Sequence, residues 1–145
     1  EDLPEGDYTV PIGKARVFRE GADISIITYG AMVHTASEAA EKLSEEGISV
    51  EIVDLRTVLP IDEETVLASV KKTSKAILLH EDTLTGGIGG EIAARIAERA
   101  FEYLDGPLVR IAAADTPVPY SPPLEDAFLP SVSKIVEKAR WLQRY

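Results

Sequence analysis

The residues best suited to chemistry stand where one apolar segment ends. Residues 76–79 form a short apolar run typical of a buried strand, and His80, Glu81 and Asp82 follow it directly. A stretch with four glycines, residues 86–90, comes soon after and opens a helical pattern. In open α/β sheets, ligands bind outside the carboxyl ends of the strands, so this order predicts a crevice beside His80.

Two further predicted strands end in polar side chains at the same edge of the sheet, which is called the rim below. Tyr29 lies at the end of an apolar run at 24–30, and Arg56 directly follows another at 48–55. Three roles remain open for such a rim: catalysis or anion binding, ion-paired contact with another domain, and simple stabilisation of the strand ends. We favour the contact. The expected inter-domain or subunit interface consists of Tyr29, Arg56, His80, Glu81, Gly86 and Gly87.

The glycine-rich segment is a poor match to a phosphate-binding loop. It lacks GxGxxG spacing, follows the fourth apolar strand rather than the first, and has no Walker lysine. Glu91 would also place a negative charge beside a phosphate bound at the helix N-terminus. We therefore expect the four glycines to permit close packing of the backbone against a neighbouring domain.

The sequence holds no pattern typical of a metal centre or of covalent catalysis. Cysteine is absent, and the two histidines, His34 and His80, lie far apart without an HExxH pattern. His34 is expected to face solvent early in a helix. Ser25 lies within a strand, and no GxSxG elbow occurs. The sequence therefore predicts no catalytic, cofactor-binding or metal-binding residue in this chain.

Charge and composition exclude two classes of partner. The formal net charge is −10 without a basic stripe to displace counterions from phosphates, so no nucleic acid is expected to bind. No apolar run approaches the roughly 20 residues of a membrane helix. The first residues lack the basic and apolar regions of a signal peptide, which predicts a cytoplasmic protein. The absence of cysteine and asparagine gives a thermophile-like composition.

Strand-like and helix-like segments alternate along the chain, which predicts helices on both faces of a mainly parallel sheet. The expected fold is a three-layer α/β/α sandwich, with a mostly parallel five-stranded sheet and an antiparallel edge strand. Residues 1–13 are interpreted as an extended inter-domain arm and residues 14–145 as the α/β domain. The missing initiator methionine suggests a trimmed chain or a fragment. The predicted strands are 14–20, 24–30, 48–55, 76–79 and 108–114, and the predicted helices are 32–46, 63–72, 88–104 and 130–142.

Prolines and one aspartate mark the last third of the chain. Residues 115–123 contain four prolines and are expected to lack regular structure, while Pro130 suits the first position of the closing helix. Asp105 directly follows a helix, where its carboxylate opposes the negative end of the helix dipole. It is either a plain turn residue before a Gly-Pro pair or a contact for a basic partner.

Several segments, in this order, resemble one family. It is the C-terminal domain of the beta subunit of the 2-oxo acid dehydrogenase decarboxylase component, the pyruvate or branched-chain enzyme. That domain belongs to the wider transketolase C-terminal superfamily. The DLRT segment or a Gly-Gly pair alone would be weak evidence for the family. The combination of segments is specific, and it covers the chain from Pro4 onward. The matching segments are 7–15 (DYTVPIGKA), 28–30 (TYG), 53–57 (VDLRT), 80–81 (HE), 86–87 (GG), 91–93 (EIA), 115–120 (DTPVPY) and the aromatic Tyr145.

The resemblance implies that catalysis belongs to a larger assembly. In the family, thiamine diphosphate with magnesium binds between the N-terminal domain of the beta subunit and an alpha subunit, so this domain is expected to bind no cofactor. The chain is expected to be inactive alone and to act as part of an oxidoreductase on 2-oxo acids. The implied partners are the N-terminal domain of the same beta subunit and the alpha subunit of a heterotetramer.

The resemblance also implies a docking role. In the family, this domain binds the peripheral subunit-binding domain of the dihydrolipoyl acyltransferase through an aspartate in a helix-to-strand turn and a C-terminal carboxylate, both facing arginines. The corresponding residues here are Asp105 and Tyr145. Two other readings remain open: the C-terminal half of a split transketolase or related thiamine-dependent synthase, and a stand-alone small-anion-binding module.

Overall fold

A computed structural model describes residues 6–145 of the chain, and residues 1–5 of the predicted arm lie outside the described range. In chain order its elements are β1 (Arg16–Arg19), β2 (Ile24–Thr28), α1 (Met32–Glu45), β3 (Val50–Asp54), α2 (Glu63–Thr73), β4 (Ala76–Thr83), α3 (Ile88–Ala100), a 3-10 turn (Phe101–Tyr103), β5 (Val109–Ala113), α4 (Pro122–Phe128) and α5 (Val132–Leu142).

The five strands form one sheet in the order β1-β3-β2-β4-β5. β1 pairs with β3 in antiparallel fashion, and every other neighbouring pair is parallel. Strand β2 is buried at all five positions, as expected of a central strand covered on both faces. The predicted mostly parallel sheet with an antiparallel edge strand is therefore confirmed.

Two hydrophobic layers cover the two faces of the sheet. Because side chains alternate along a strand, Ile26 enters one layer and Ile27 the other. The first layer includes Leu43 of α1 and Ile135 of α5, and the second is built with residues of α2 and α3. The result is the predicted three-layer sandwich, and both ends of the sheet are left open to display loops.

Several helix boundaries follow from capping. The Asp62 side chain accepts a hydrogen bond from the Thr65 backbone N–H at 3.3 Å and so caps α2, as the sequence predicts. Gly47 ends α1 in the left-handed region, with φ of +80°. The helix predicted at 88–104 is shorter: α3 stops at Ala100, where the chain tightens into the 3-10 turn.

Two expectations for the proline-rich tail are wrong in detail. Pro122 and Pro123 are the first residues of α4, because proline lacks only an N–H that the first helical turn leaves unused. Pro130 lies outside α5, and Ser131 is its N-cap, accepting a hydrogen bond from the Lys134 backbone N–H at 3.3 Å. The Ser131 hydroxyl therefore caps α5, and the helix begins later than the proline pattern predicts.

The described part of the arm is tied to the domain by its last residues. The Gly13 backbone N–H donates to Thr57 Oγ1 at 3.0 Å, and the Ala15 N–H donates to Asp62 Oδ2 at 3.0 Å. The same side chains thus organise the loop after β3 and hold the incoming chain. The division at residue 13 stays a prediction. No helix within residues 6–145 has the length and apolar character needed to cross a bilayer.

Candidate interaction surfaces at the two ends of the sheet

The carboxyl ends of β2, β3 and β4 bring the predicted rim residues to one edge of the sheet. Tyr29 is half-buried, Arg56 and Glu81 are exposed, and His80 lies beneath them in the interior. Burial raises the pKa of the Tyr29 phenol, and the carboxylates of Asp82 and Glu81 add to this effect. At neutral pH the edge therefore presents a neutral phenol, one arginine and two carboxylates.

Arg56 is held in an unusual backbone conformation. Its φ is +57°, in the left-handed region that few residues other than glycine adopt. The Arg56 backbone N–H donates to Asp54 Oδ1 at 3.1 Å, which closes the turn around it. Thr57 then donates its hydroxyl to the Pro60 carbonyl at 3.2 Å. The DLRT segment is therefore a tight turn that leaves the arginine side chain at the surface.

His80 is the buried support of this edge. It is 1% exposed, and neither ring nitrogen has a hydrogen-bond partner among the described residues. Burial lowers the pKa of His80 below its usual value, more than the neighbouring backbone and carboxylate of Asp82 raise it. The imidazole is therefore neutral at pH 7, and it packs as part of the core.

A side chain at either of two of the four glycines would collide with atoms of this chain. A Cβ at position 89 would lie 2.4 Å from His80 Nε2, and a Cβ at position 87 would lie 2.3 Å from the Thr83 carbonyl oxygen and 2.6 Å from His80 Cε1. Gly86 has a φ of +81°, whereas Gly90 leaves ordinary space around its missing side chain. Gly87 and Gly89 thus pack against this chain itself, and packing of the glycine-rich segment against a neighbouring domain stays a prediction.

Asp115 fixes the glycine-rich loop from outside, a role that sequence reasoning missed. Its carboxylate accepts hydrogen bonds from the Thr85 backbone N–H at 2.9 Å and from the Thr85 hydroxyl at 2.6 Å. The side-chain hydrogen bond from Thr85 is the main reason that the pKa of Asp115 is lowered. Arg110 Nη1 also donates to the Leu84 carbonyl at 3.1 Å. The only sequence signal was the DTPVPY segment, whose aspartate had no assigned partner.

The amino end of the sheet brings together the two residues predicted for docking. The Asp105 backbone N–H donates to the Ser74 carbonyl at 2.9 Å, which leaves the Asp105 side chain exposed. Next to it, a Cβ on Gly106 would lie 3.3 Å from Tyr145 Cβ. Tyr145 thus packs directly over the residue after Asp105, although 40 positions separate Asp105 and Tyr145 in the sequence.

Exposed aromatic rings lie near the contact between Gly106 and Tyr145. Trp141 and Tyr145 are 42% and 63% exposed, and their rings meet edge to face with centroids 5.1 Å apart. Tyr103 lies two residues before Asp105, and Lys71 Nζ is 4.8 Å from the centre of its ring. Trp141 was not singled out from the sequence. Its signal was the position of the chain's single tryptophan beside the apolar stripe of the closing helix.

A cleft elsewhere is lined by charged side chains, three of which pair with one another. It encloses about 450 Å³ between β1 and α2, and Glu20, Glu51 and Lys72 contribute to its walls. Lys72 Nζ binds Glu20 Oε2 at 2.5 Å and also pairs with the buried carboxylate of Glu51. These charges satisfy one another. Within residues 6–145 no three histidine, aspartate or glutamate side chains converge as metal ligands, and His34 is exposed.

The fold agrees with one class of protein. The chain belongs to the family described as "Transketolase, C-terminal domain", whose model matches residues 13–135. Within that class it is similar to the beta subunit of the pyruvate dehydrogenase E1 component. It is 49% identical to that of Staphylococcus aureus (strain Mu50 / ATCC 700699) and 48% identical to that of Bacillus subtilis (strain 168), each over 140 residues. The predicted resemblance is confirmed.

The same likeness extends to a solved structure. A split gene transketolase, described as an inactive beta4 tetramer, matches 99% of this chain and 46% of its own with a TM-score of 0.82 and 25% identity. The two curated relatives are matched over 97% of this chain but only 43% of their own length. The chain therefore spans less than half of those proteins.

Proposed function

We propose that this chain is the C-terminal domain of the beta subunit of a thiamine-diphosphate-dependent 2-oxo acid dehydrogenase, acting on pyruvate or a branched-chain 2-oxo acid in the cytoplasm. Its role is to assemble the subunits and to dock the acyltransferase core. The observation that carries the docking role is the meeting of Asp105 and Tyr145 at one end of the sheet, through contact of Tyr145 with Gly106. The identity to beta subunits supports the choice of enzyme.

The described residues do not fit the cofactor themselves. The glycine-rich entrance to α3 is filled by the His80 ring, and Glu91 adds a negative charge in the first turn of that helix. A diphosphate would meet that charge, and no cluster of three histidine, aspartate or glutamate side chains that could hold its metal ion occurs within residues 6–145. In agreement with this, the resemblance implies that thiamine diphosphate and its magnesium bind to other parts of the parent enzyme and that the chain alone is inactive.

The carboxyl edge is the surface for assembly with the N-terminal domain and the alpha subunit. Tyr29, Arg56 and Glu81 supply the accessible contacts, together with the exposed backbone of Gly86. His80 and Gly87 belong to the same edge as internal supports, because both are buried by this chain. Leu59, which is 85% exposed in the loop after β3, adds an apolar contact beside them.

The amino end is the docking surface for the peripheral subunit-binding domain. An exposed aspartate suits an arginine, since the planar guanidinium donates two parallel hydrogen bonds to a carboxylate. In the family, a C-terminal carboxylate stands at the position of Tyr145. Such a group would be a second hydrogen-bond acceptor beside the Asp105 carboxylate. Such pairs raise association rates and specificity, and they bind most strongly where the interface excludes water.

The test is a binding measurement on the assembled alpha and beta subunits with the subunit-binding domain. Asp105→Asn preserves shape and removes the charge, so it should weaken binding by about 2 kcal/mol or more, roughly 30-fold. Asp126→Asn is the matched control, because Asp126 is an exposed aspartate of α4. Equal affinity for both variants would remove Asp105 from the docking site.

A split-gene transketolase is the second candidate, and the structural likeness to the inactive beta4 tetramer favours it. Affinity purification from the native source separates the two. Co-purification of a dihydrolipoyl acyltransferase supports the dehydrogenase beta subunit. Recovery of a thiamine-dependent partner chain without an acyltransferase would favour the split-gene transketolase.

A further inference from the structure

We infer that Trp141 and Tyr145 form an aromatic platform on which an arginine side chain of the docking partner stacks while its guanidinium binds Asp105. This inference rests on the proposed docking function and extends it to the chemistry of recognition. It assigns a role to Trp141 and identifies arginine as the side chain that binds to the exposed rings.

The contacts form one continuous surface. The two rings meet edge to face at 5.1 Å, and Tyr145 packs against Gly106, the residue bonded to Asp105. The Tyr145 N–H also donates to the Leu142 carbonyl at 3.3 Å, which holds the end of the chain against α5. The platform is thus attached to a helix whose Leu142 is fully buried, so its rings stand on rigid structure beside the residue that follows Asp105.

Unlike the rings of Phe18 and Tyr103, the two rings of the platform carry no cation within residues 6–145. Arg16 covers the Phe18 ring at 5.0 Å, and Lys71 covers the Tyr103 ring at 4.8 Å. Across residues 6–145 no lysine or arginine lies over Trp141 or Tyr145 in this way. Indole is the best of the aromatic rings for binding a cation, so the uncovered face of Trp141 is available to a cation from outside.

The combination of carboxylate and ring selects arginine over lysine. A guanidinium is planar, weakly hydrated and able to stack on a ring while its N–H groups bind a carboxylate in bidentate fashion. An ammonium is a compact, strongly hydrated charge that does not make both contacts in this way. Removing the Trp141 ring should therefore weaken binding more when the partner presents an arginine than when it presents a lysine.

The experiment measures binding of the assembled subunits to the subunit-binding domain and to a variant of that domain whose docking arginines are lysines. Trp141→Leu keeps an apolar side chain but removes the ring, and it should weaken binding to the arginine form about five-fold. Its effect on the lysine form should be less than two-fold. Trp141→Phe should restore most of the affinity, which shows that the ring itself acts.

The matched control is Tyr120→Leu, which removes an equally accessible ring from the proline-rich loop and should leave binding unchanged. Three results overturn the platform: no effect of Trp141→Leu, an equal effect on both partner forms, or no rescue by phenylalanine. If Asp105→Asn still weakens binding in any of these cases, the docking function stands and only the platform is wrong. If neither substitution changes affinity, the docking function itself fails.

Discussion

The two ends of the sheet use their polar residues in opposite ways. At the carboxyl end, the His80 imidazole is enclosed by the backbone of α3, and Asp115 holds the adjoining loop through Thr85. At the amino end, the Asp105 carboxylate and the ring of Trp141 remain accessible. His80 and Asp115 thus support the fold, whereas Arg56 and Glu81 at the same end, like Asp105 at the other end, stay exposed.

The largest effect that tests this contrast is steric. Gly89→Ala would place a Cβ 2.4 Å from His80 Nε2 and 2.7 Å from Cδ2, so the ring or the helix must shift. Overpacking of this kind should lower the free energy of unfolding by about 2 kcal/mol. Denaturant unfolding monitored by circular dichroism measures the change.

Gly90→Ala is the matched control in the same helix. A Cβ there would have Arg110 Nη1 at 3.6 Å as its nearest contact, which is ordinary spacing. The variant should gain up to about 1 kcal/mol of stability, because alanine favours the helix. Equal stabilities for the two variants would mean that the glycines do not serve the packing of His80.

A second, smaller effect concerns pH. The pKa of His80 is lowered in the folded chain from the ordinary value of 6.5, so below that pH the unfolded state binds more protons than the folded state. Stability should therefore be full above pH 6.5 and should fall as the pH drops toward the folded pKa. Melting temperatures measured at a series of pH values between about 5 and 8 record how the stability changes with pH.

His80→Leu should remove this part of the pH dependence, because it removes the proton-binding group and leaves an apolar side chain in a buried place. His34→Gln is the matched control, since it replaces the exposed histidine of α1 and keeps His80. A pH dependence that persists unchanged in His80→Leu would contradict the assignment to His80.

The smallest effect is expected at Arg56. Glycine adopts a φ of +57° freely, so Arg56→Gly removes the side chain and keeps the turn. Relief of the left-handed strain and the added flexibility of glycine oppose one another, and stability should change by less than about 0.5 kcal/mol. A thermal unfolding comparison decides this, and a large loss would mean that the arginine supports the fold rather than a partner.

The fold was predictable because its signals are local. Alternation and helical spacing predicted the strands and helices, and Asp62 could be recognised as a cap from its place before a helix. Pro122 and Ser131 show the limit of that reasoning, since proline and serine patterns fix helix starts only to within a few residues.

The site was less predictable because its contacts are long-range. The spacing of Gly87 and Gly89 gives no hint that a histidine ring fills their missing side chains. Similarly, the packing of Tyr145 over Gly106 joins residues far apart in the chain. The resemblance supplied Asp105 and Tyr145, whereas Trp141 became visible only through its exposure and its contact with Tyr145.

If the two ends of the sheet serve two different partners, substitutions at the two ends should have separate effects on assembly and docking. Both effects would be measured on Arg56→Gly and Asp105→Asn, by sedimentation of the alpha and beta subunits and by titration with the subunit-binding domain. Arg56→Gly should weaken subunit assembly, and Asp105→Asn should weaken docking alone. Loss of docking in Arg56→Gly with assembly intact, or loss of assembly in Asp105→Asn, would contradict this division of roles.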